Sequence, residues 1–156
     1  MTEPDIQEEV PELSEAEKEA LRQKQIIHEQ LQEQFIDVLN HFFSEDLCFN
    51  KHGADKRYKF KDGTSSLVGY LIPSGWYFQS TEEIQAQYLI TEYPGIHQVF
   101  PDRDFLIALD HVDRKISEML RYEQEWRGEA IRLLTDMIHK FDLRGTEMLE
   151  NASILI

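Results

Sequence analysis

Asp110, His111 and Asp113 put two carboxylates and an imidazole within four residues, a combination that can act as a general base or hold a divalent metal. Their spacing limits this. On a helix Asp110 and Asp113 are neighbours at i,i+3 while His111 points about 100° away, so convergence would need a group from another element. The other histidines, His28, His41, His52, His97 and His139, show no His-x-x-x-His spacing. A solvated helix face accounts for the same three residues without any chemistry. The single cysteine, Cys48, stands between Leu47 and Phe49, where a small buried hydrophobe is its ordinary role, and it excludes an intrachain disulfide or a Cys-rich metal site. No phosphate loop, dinucleotide-binding glycine pattern or nucleophile elbow occurs among the seven dispersed glycines. A non-enzymatic protein without cofactor or metal is therefore expected. The alternative is a small enzyme or metal-binding protein using His111 with Asp110 or Asp113.

Binding chemistry is more prominent. Of 156 residues, 30 are acidic and 16 basic, a formal charge of −14 that repels phosphate backbones at long range and favours basic partners. Direct nucleic-acid binding is not expected. Residues 1–34 hold ten acids and three bases, half of the net charge, and Glu15, Glu17 and Glu19 are placed to offer carboxylates to a basic surface of another protein. The opposite sign gathers in Lys51, Lys56, Arg57, Lys59 and Lys61, net +3 against Asp55 and Asp62. Arg57, Lys59 and Lys61 would share a face suited to phosphate, to an acidic partner or to the chain's own arm. Lysines that merely discourage edge-to-edge strand pairing are the plainer account.

The elements that must position these groups are readable from period and punctuation. Residues 1–13, with Pro4, Pro11 and few apolar side chains, are expected to be a disordered acidic lead-in. Ser14 with Glu17 forms a capping box that starts a long helix, in which Ile27, Leu31, Phe35, Val38 and Phe42 recur on one face. The early turns of that helix lack such a stripe and should protrude. Asp62-Gly63 between Arg57–Lys61 and Thr64–Leu71 predicts a two-residue turn in a β-hairpin over about residues 57–71. In that register Lys61 pairs with Thr64 and Phe60 with Ser65, which sends Tyr58, Phe60 and Leu67 to the core and Lys59 to solvent. The aromatic trio Trp76, Tyr77 and Phe78 should cover the junction after Pro73 and Gly75. Ser80 with Glu83 opens a short helix to about Glu92. Pro101-Asp102 opens another, carrying Phe105, Leu109, Val112, Ile116 and Leu120, and Trp126 to Phe141 form its antiparallel partner, ending near Gly145.

The hairpin segment, Arg57-Tyr58, Asp62-Gly63 and Val68-Gly69-Tyr70-Leu71-Ile72-Pro73, resembles a group of small bacterial and phage proteins. Their pattern is an Arg-Tyr strand, a turn with Gly, a Val-Gly-x-Leu-Ile-Pro strand, a Leu-rich helix and a Trp opening the last helix, here Leu106, Leu109 and Trp126. The resemblance covers roughly residues 45–143 and implies a fold rather than an activity. Where that group carries Cys before Arg-Tyr and before Val-Gly, this chain has Lys56 and Leu67 or Ser66. Its His-Asp pair appears shifted, as Asp110-His111-Val112-Asp113.

The expected architecture is thus a mainly helical α+β domain over residues 14–143, with a long N-terminal helix, a two-stranded β-hairpin, a short helix and a C-terminal antiparallel helix pair. Residues 144–156 would be a tail. No apolar run approaches the roughly 20 residues that span a bilayer, and the acidic start Met1-Thr2-Glu3-Pro4-Asp5 is unlike a signal peptide, so a cytoplasmic location is expected. The expected function is that of an acidic interaction protein that binds and modulates another protein, of the kind phages and mobile elements encode. Self-association through the N-terminal helix is a further expectation.

Overall fold

The computed structural model describes residues 12–55, 57–73, 86–93 and 95–154. Most of the lead-in, the aromatic trio and the Ser80–Glu83 capping box lie outside the described residues. Within them the secondary structure is eight helices: α1 Glu15–Phe42, α2 Cys48–His52, α3 Leu67–Leu71, α4 Ala86–Glu92, α5 Ile96–Val99, α6 Arg103–Arg121, α7 Arg127–Phe141 and α8 Thr146–Ile154.

Local sequence explains the long elements. The Ser14 hydroxyl accepts from the Glu17 amide at 3.1 Å and starts α1, one half of the capping box. Its 28 residues make a rod about 42 Å long. Leu31, Phe35, Val38, Leu39 and Phe42 are buried, whereas every residue from Glu12 to Ile26 is exposed. Asp102 starts α6 by accepting from the Phe105 amide at 3.1 Å. Phe105 at the start of α6 meets Phe141 at the end of α7, ring centroids 5.5 Å apart, so these two helices run antiparallel as expected. Helix α7 ends at Asp142 in the left-handed region, φ 52°, three residues earlier than Gly145. Gly145 follows at φ 144° beneath α1, where a Cβ would lie 2.7 Å from Leu39 Cδ1. The stretch expected to be a tail forms α8, with Leu149 buried.

The lower half of α1 is clamped to the α7–α8 corner. The Gln32 amide donates to Arg144 O at 3.0 Å and accepts from Arg144 N at 2.6 Å, while His28 Nε2 lies 2.8 Å from Asp142 O.

The β-hairpin and the α+β class are corrected by the structure. Among the described residues there is no strand, only isolated bridges of Ser65 with Lys59 and with Leu47. The turn is one residue longer than the Asp62-Gly63 pair implied: Phe60 N donates to Thr64 O at 2.9 Å, and Asp62 Oδ1 accepts from Thr64 N at 3.0 Å. Gly63 supplies the φ of 89° that this loop needs. Pairing then stops at Ser66, because the chain turns into α3. The Ser66 hydroxyl accepts from Gly69 N at 3.0 Å, and the Asp113 carboxylate takes the Leu67 and Val68 amides. With its first amides satisfied by side chains, residues 67–71 gain more as one buried helical turn than as a solvent-facing strand.

Candidate functional site

Asp110 and Asp113 occupy successive turns of α6 and both face inward, 3% and 0% exposed. The solvated helix face expected for them is therefore confined to His111, which is exposed. Asp113 accepts from Leu67 N and Val68 N through its two oxygens, each at 2.9 Å, and Ser66 adds a side-chain bond. Asp110 accepts from the Tyr58 hydroxyl at 2.6 Å and from Ala86 N at 3.0 Å. Burial pushes both carboxyls up, Asp113 to about 7, against the downward pull of these bonds. The pair thus caps α3 and α4 at once and fastens Tyr58 to α6.

These bonds give both carboxylates a structural task. The bonding oxygens of Asp113 are taken by amides in a closed interior, whereas His111 is exposed and lines a surface cleft together with Asp110. Among the described residues no group of three His, Cys, Asp or Glu side chains is placed to hold a metal. Cys48 is fully buried, and burial pushes its thiol far above the usual range, which opposes thiolate chemistry.

One pairing escaped the sequence. His41 Nε2 lies 3.2 Å from Ser65 Oγ, a nucleophile-to-base distance, but also 3.0 Å from the Ser65 carbonyl. A ring nitrogen that donates to a carbonyl carries its proton and is no base toward the hydroxyl. Both residues are buried, and Tyr70 stacks on the outer side of the imidazole with centroids 4.2 Å apart. This cluster fixes α1 against the 64–66 segment. No local spacing announces it, since the partners are 24 residues apart.

The basic face is only partly assembled. Lys59 is half-buried and its ammonium donates to Ile72 O at the end of α3, with burial lowering its pKa. Arg57 is exposed and 3.4 Å from Asp55 Oδ1, and Lys61 is exposed beside the turn. Lys56 lies outside the described residues. Arg57, Lys59 and Lys61 therefore do not form one free cationic surface.

Among the described residues, two of the surface clefts have largely apolar linings. One of about 640 Å³ lies along α6 and α7, with Ile107, Ala108, Leu133 and Met137 as its apolar lining and Asp110, His111, Arg114, Asp136 and Lys140 as its polar lining. The other, of about 610 Å³, is lined by Phe42, Phe43, Trp126, Ile131 and Met148. The first cleft brings Asp110 and His111 into one lining, and the second holds neither.

Glu15, Glu17 and Glu19 stand on α1 where every neighbour is exposed. Glu15 pairs with Lys18 at 3.5 Å and Glu19 with Arg22 at 3.1 Å along the helix, contacts too exposed to hold more than about 1 kcal/mol each. No helix among the described residues is long and apolar enough to cross a membrane.

Comparisons with protein-family models, curated proteins and solved structures found no match for the chain. Within the segment 57–73 that carries most of the resemblance, the strand pair it implied is replaced by a turn and α3.

Proposed function

We propose that this chain is a non-enzymatic interaction protein whose acidic α1 arm binds a basic surface on another protein and modulates it. The observation that carries this reading is the exposure of every residue from 12 to 26, on a chain whose packing against the other described residues begins at Ile27 and His28. Roughly three turns of helix project with every residue exposed, although an isolated helix of that length is marginal in water. Such a segment has its gain to make by binding. The net charge of −14 steers a cationic partner and opposes nucleic acid.

The test is capture by immobilised full-length chain from host-cell extract, followed by kinetics with the partner identified. Replacing Glu15 and Glu19 together by Lys should lower the association rate, and rising salt should do the same as the screening length falls toward about 8 Å. Capture indifferent to both changes would refute the acidic-arm reading.

A further inference from the structure

The free part of α1 has its charges sorted by sign. Glu12, Glu15, Glu17 and Glu19 come first, Arg22 and Lys24 follow, and Lys18 is the one base among the acids. Lys18 and Arg22 are engaged with Glu15 and Glu19. Glu17 and Lys24 make no ion pair among the described residues. They are seven residues apart, so they share a face and are separated by about 10 Å along the axis.

That face is the continuation of the core stripe. The same seven-residue step leads from Glu17 and Lys24 to Leu31 and Val38, both buried. Between the two charges lie Ala20 and Leu21, the latter 52% exposed. What is core below residue 30 thus continues upward as a narrow apolar centre with an acid on one side and a base on the other. Reversed end for end, this pattern matches itself.

We propose that the face pairs antiparallel with the same face of a second copy of this chain. Ala20 and Leu21 meet at the two-fold axis, and Glu17 of each chain faces Lys24 of the partner subunit. Antiparallel packing sets the acidic end of each arm against the basic end of the other, whereas parallel packing would stack acids on acids. Glu15, Glu19, Glu29 and Glu33 lie on the opposite side of the helix by the same period, so the paired arms still present carboxylates outward. The inference rests on α1 being an interaction surface, as proposed above. An overlap of about 16 residues is short and partly polar, so the association is weak.

Sedimentation equilibrium of the full chain at low ionic strength, from about 10 µM to 1 mM, reads the pairing directly. The wild type should show a monomer–dimer equilibrium that weakens with salt. Glu17→Lys and Lys24→Glu should each raise its dissociation constant about tenfold, because each sets like charges against each other twice across the axis. An equimolar mixture of the two variants should recover association, since one chain then carries bases at both positions and the other acids at both. Both positions are exposed, and unchanged far-UV circular dichroism checks that the variants fold. A wild type monomeric throughout, or a mixture no more associated than its components, would overturn the proposal. No other protein is in the cell, so this failure is distinct from partner capture that proves indifferent to the Glu15/Glu19 change and to salt.

Discussion

Gly69 packs on the backbone of Tyr58 so closely that a Cβ at residue 69 would lie 1.9 Å from the Tyr58 carbonyl oxygen. Ordinary rotamer adjustment cannot relieve an overlap with backbone. Gly69→Ala should therefore separate α3 from the 58–60 segment and cost about 3 kcal/mol or more, read as a lower urea midpoint. Gly128→Ala in the first turn of α7 is the control. Nothing lies within 4 Å of its added methyl, and a helical Gly→Ala exchange gains up to about 1 kcal/mol.

The same contact shows why the hairpin expectation failed. Thr64 to Leu71 does alternate, and Asp62-Gly63 does turn. What decides between strand and helix is Asp113, 46 residues from Leu67, which satisfies the first amides of α3. Local sequence cannot announce a cap supplied from that distance. Helices α1 and α6 were legible because Ser14 and Asp102 cap them from the adjacent residue and apolar periodicity runs beneath. Asp110 and Asp113 were misread as solvated because charge alone does not reveal burial.

Asp113 should make stability fall as pH rises. Its folded pKa of about 7 lies above the ordinary 3.8, so the folded protein holds a proton that the unfolded chain has released. The resulting stabilisation is complete below about pH 4 and is lost progressively as pH climbs through about 7. The raised pKa of Asp110 acts in the same direction. Asp113→Asn should flatten the decline between those limits in urea titrations at several pH values. Asp113→Ala should cost about 2–4 kcal/mol at acid pH, because it leaves two buried amides unsatisfied.

Phe60 and Lys59 are closer in importance than their register implied, both being half-buried. Phe60 is half-buried and stacks on His52 with centroids 3.7 Å apart, so Phe60→Ala should cost only about 1–2 kcal/mol. Lys59 holds the end of α3 through Ile72 O, so Lys59→Ala should cost about 1 kcal/mol where a solvated lysine would cost nothing. Tyr58→Phe should exceed both at about 2 kcal/mol, because it removes a hydroxyl donor from buried Asp110. Equal chemical-denaturation midpoints for all three variants would contradict this ranking.

Helix α1 should divide sharply by position when its apolar residues are truncated. Leu21 and Ile26 are 52% and 46% exposed, whereas Leu31 is 3% exposed. Leu21→Ala and Ile26→Ala should each stay within about 0.5 kcal/mol, while Leu31→Ala should cost about 2–4 kcal/mol through lost burial and the cavity left behind. The boundary falls at the Gln32–Arg144 clamp, so Gln32→Ala, which leaves the Arg144 amide and carbonyl unpaired, should cost about 1–2 kcal/mol. These values apply to dilute protein, where chains do not pair. At high concentration Leu21→Ala should also weaken self-association, because Leu21 sits beside the proposed two-fold axis, and Ile26→Ala, on another side of the helix, should not. A variant that leaves the fold untouched yet alters assembly separates the arm's binding role from any role in the core.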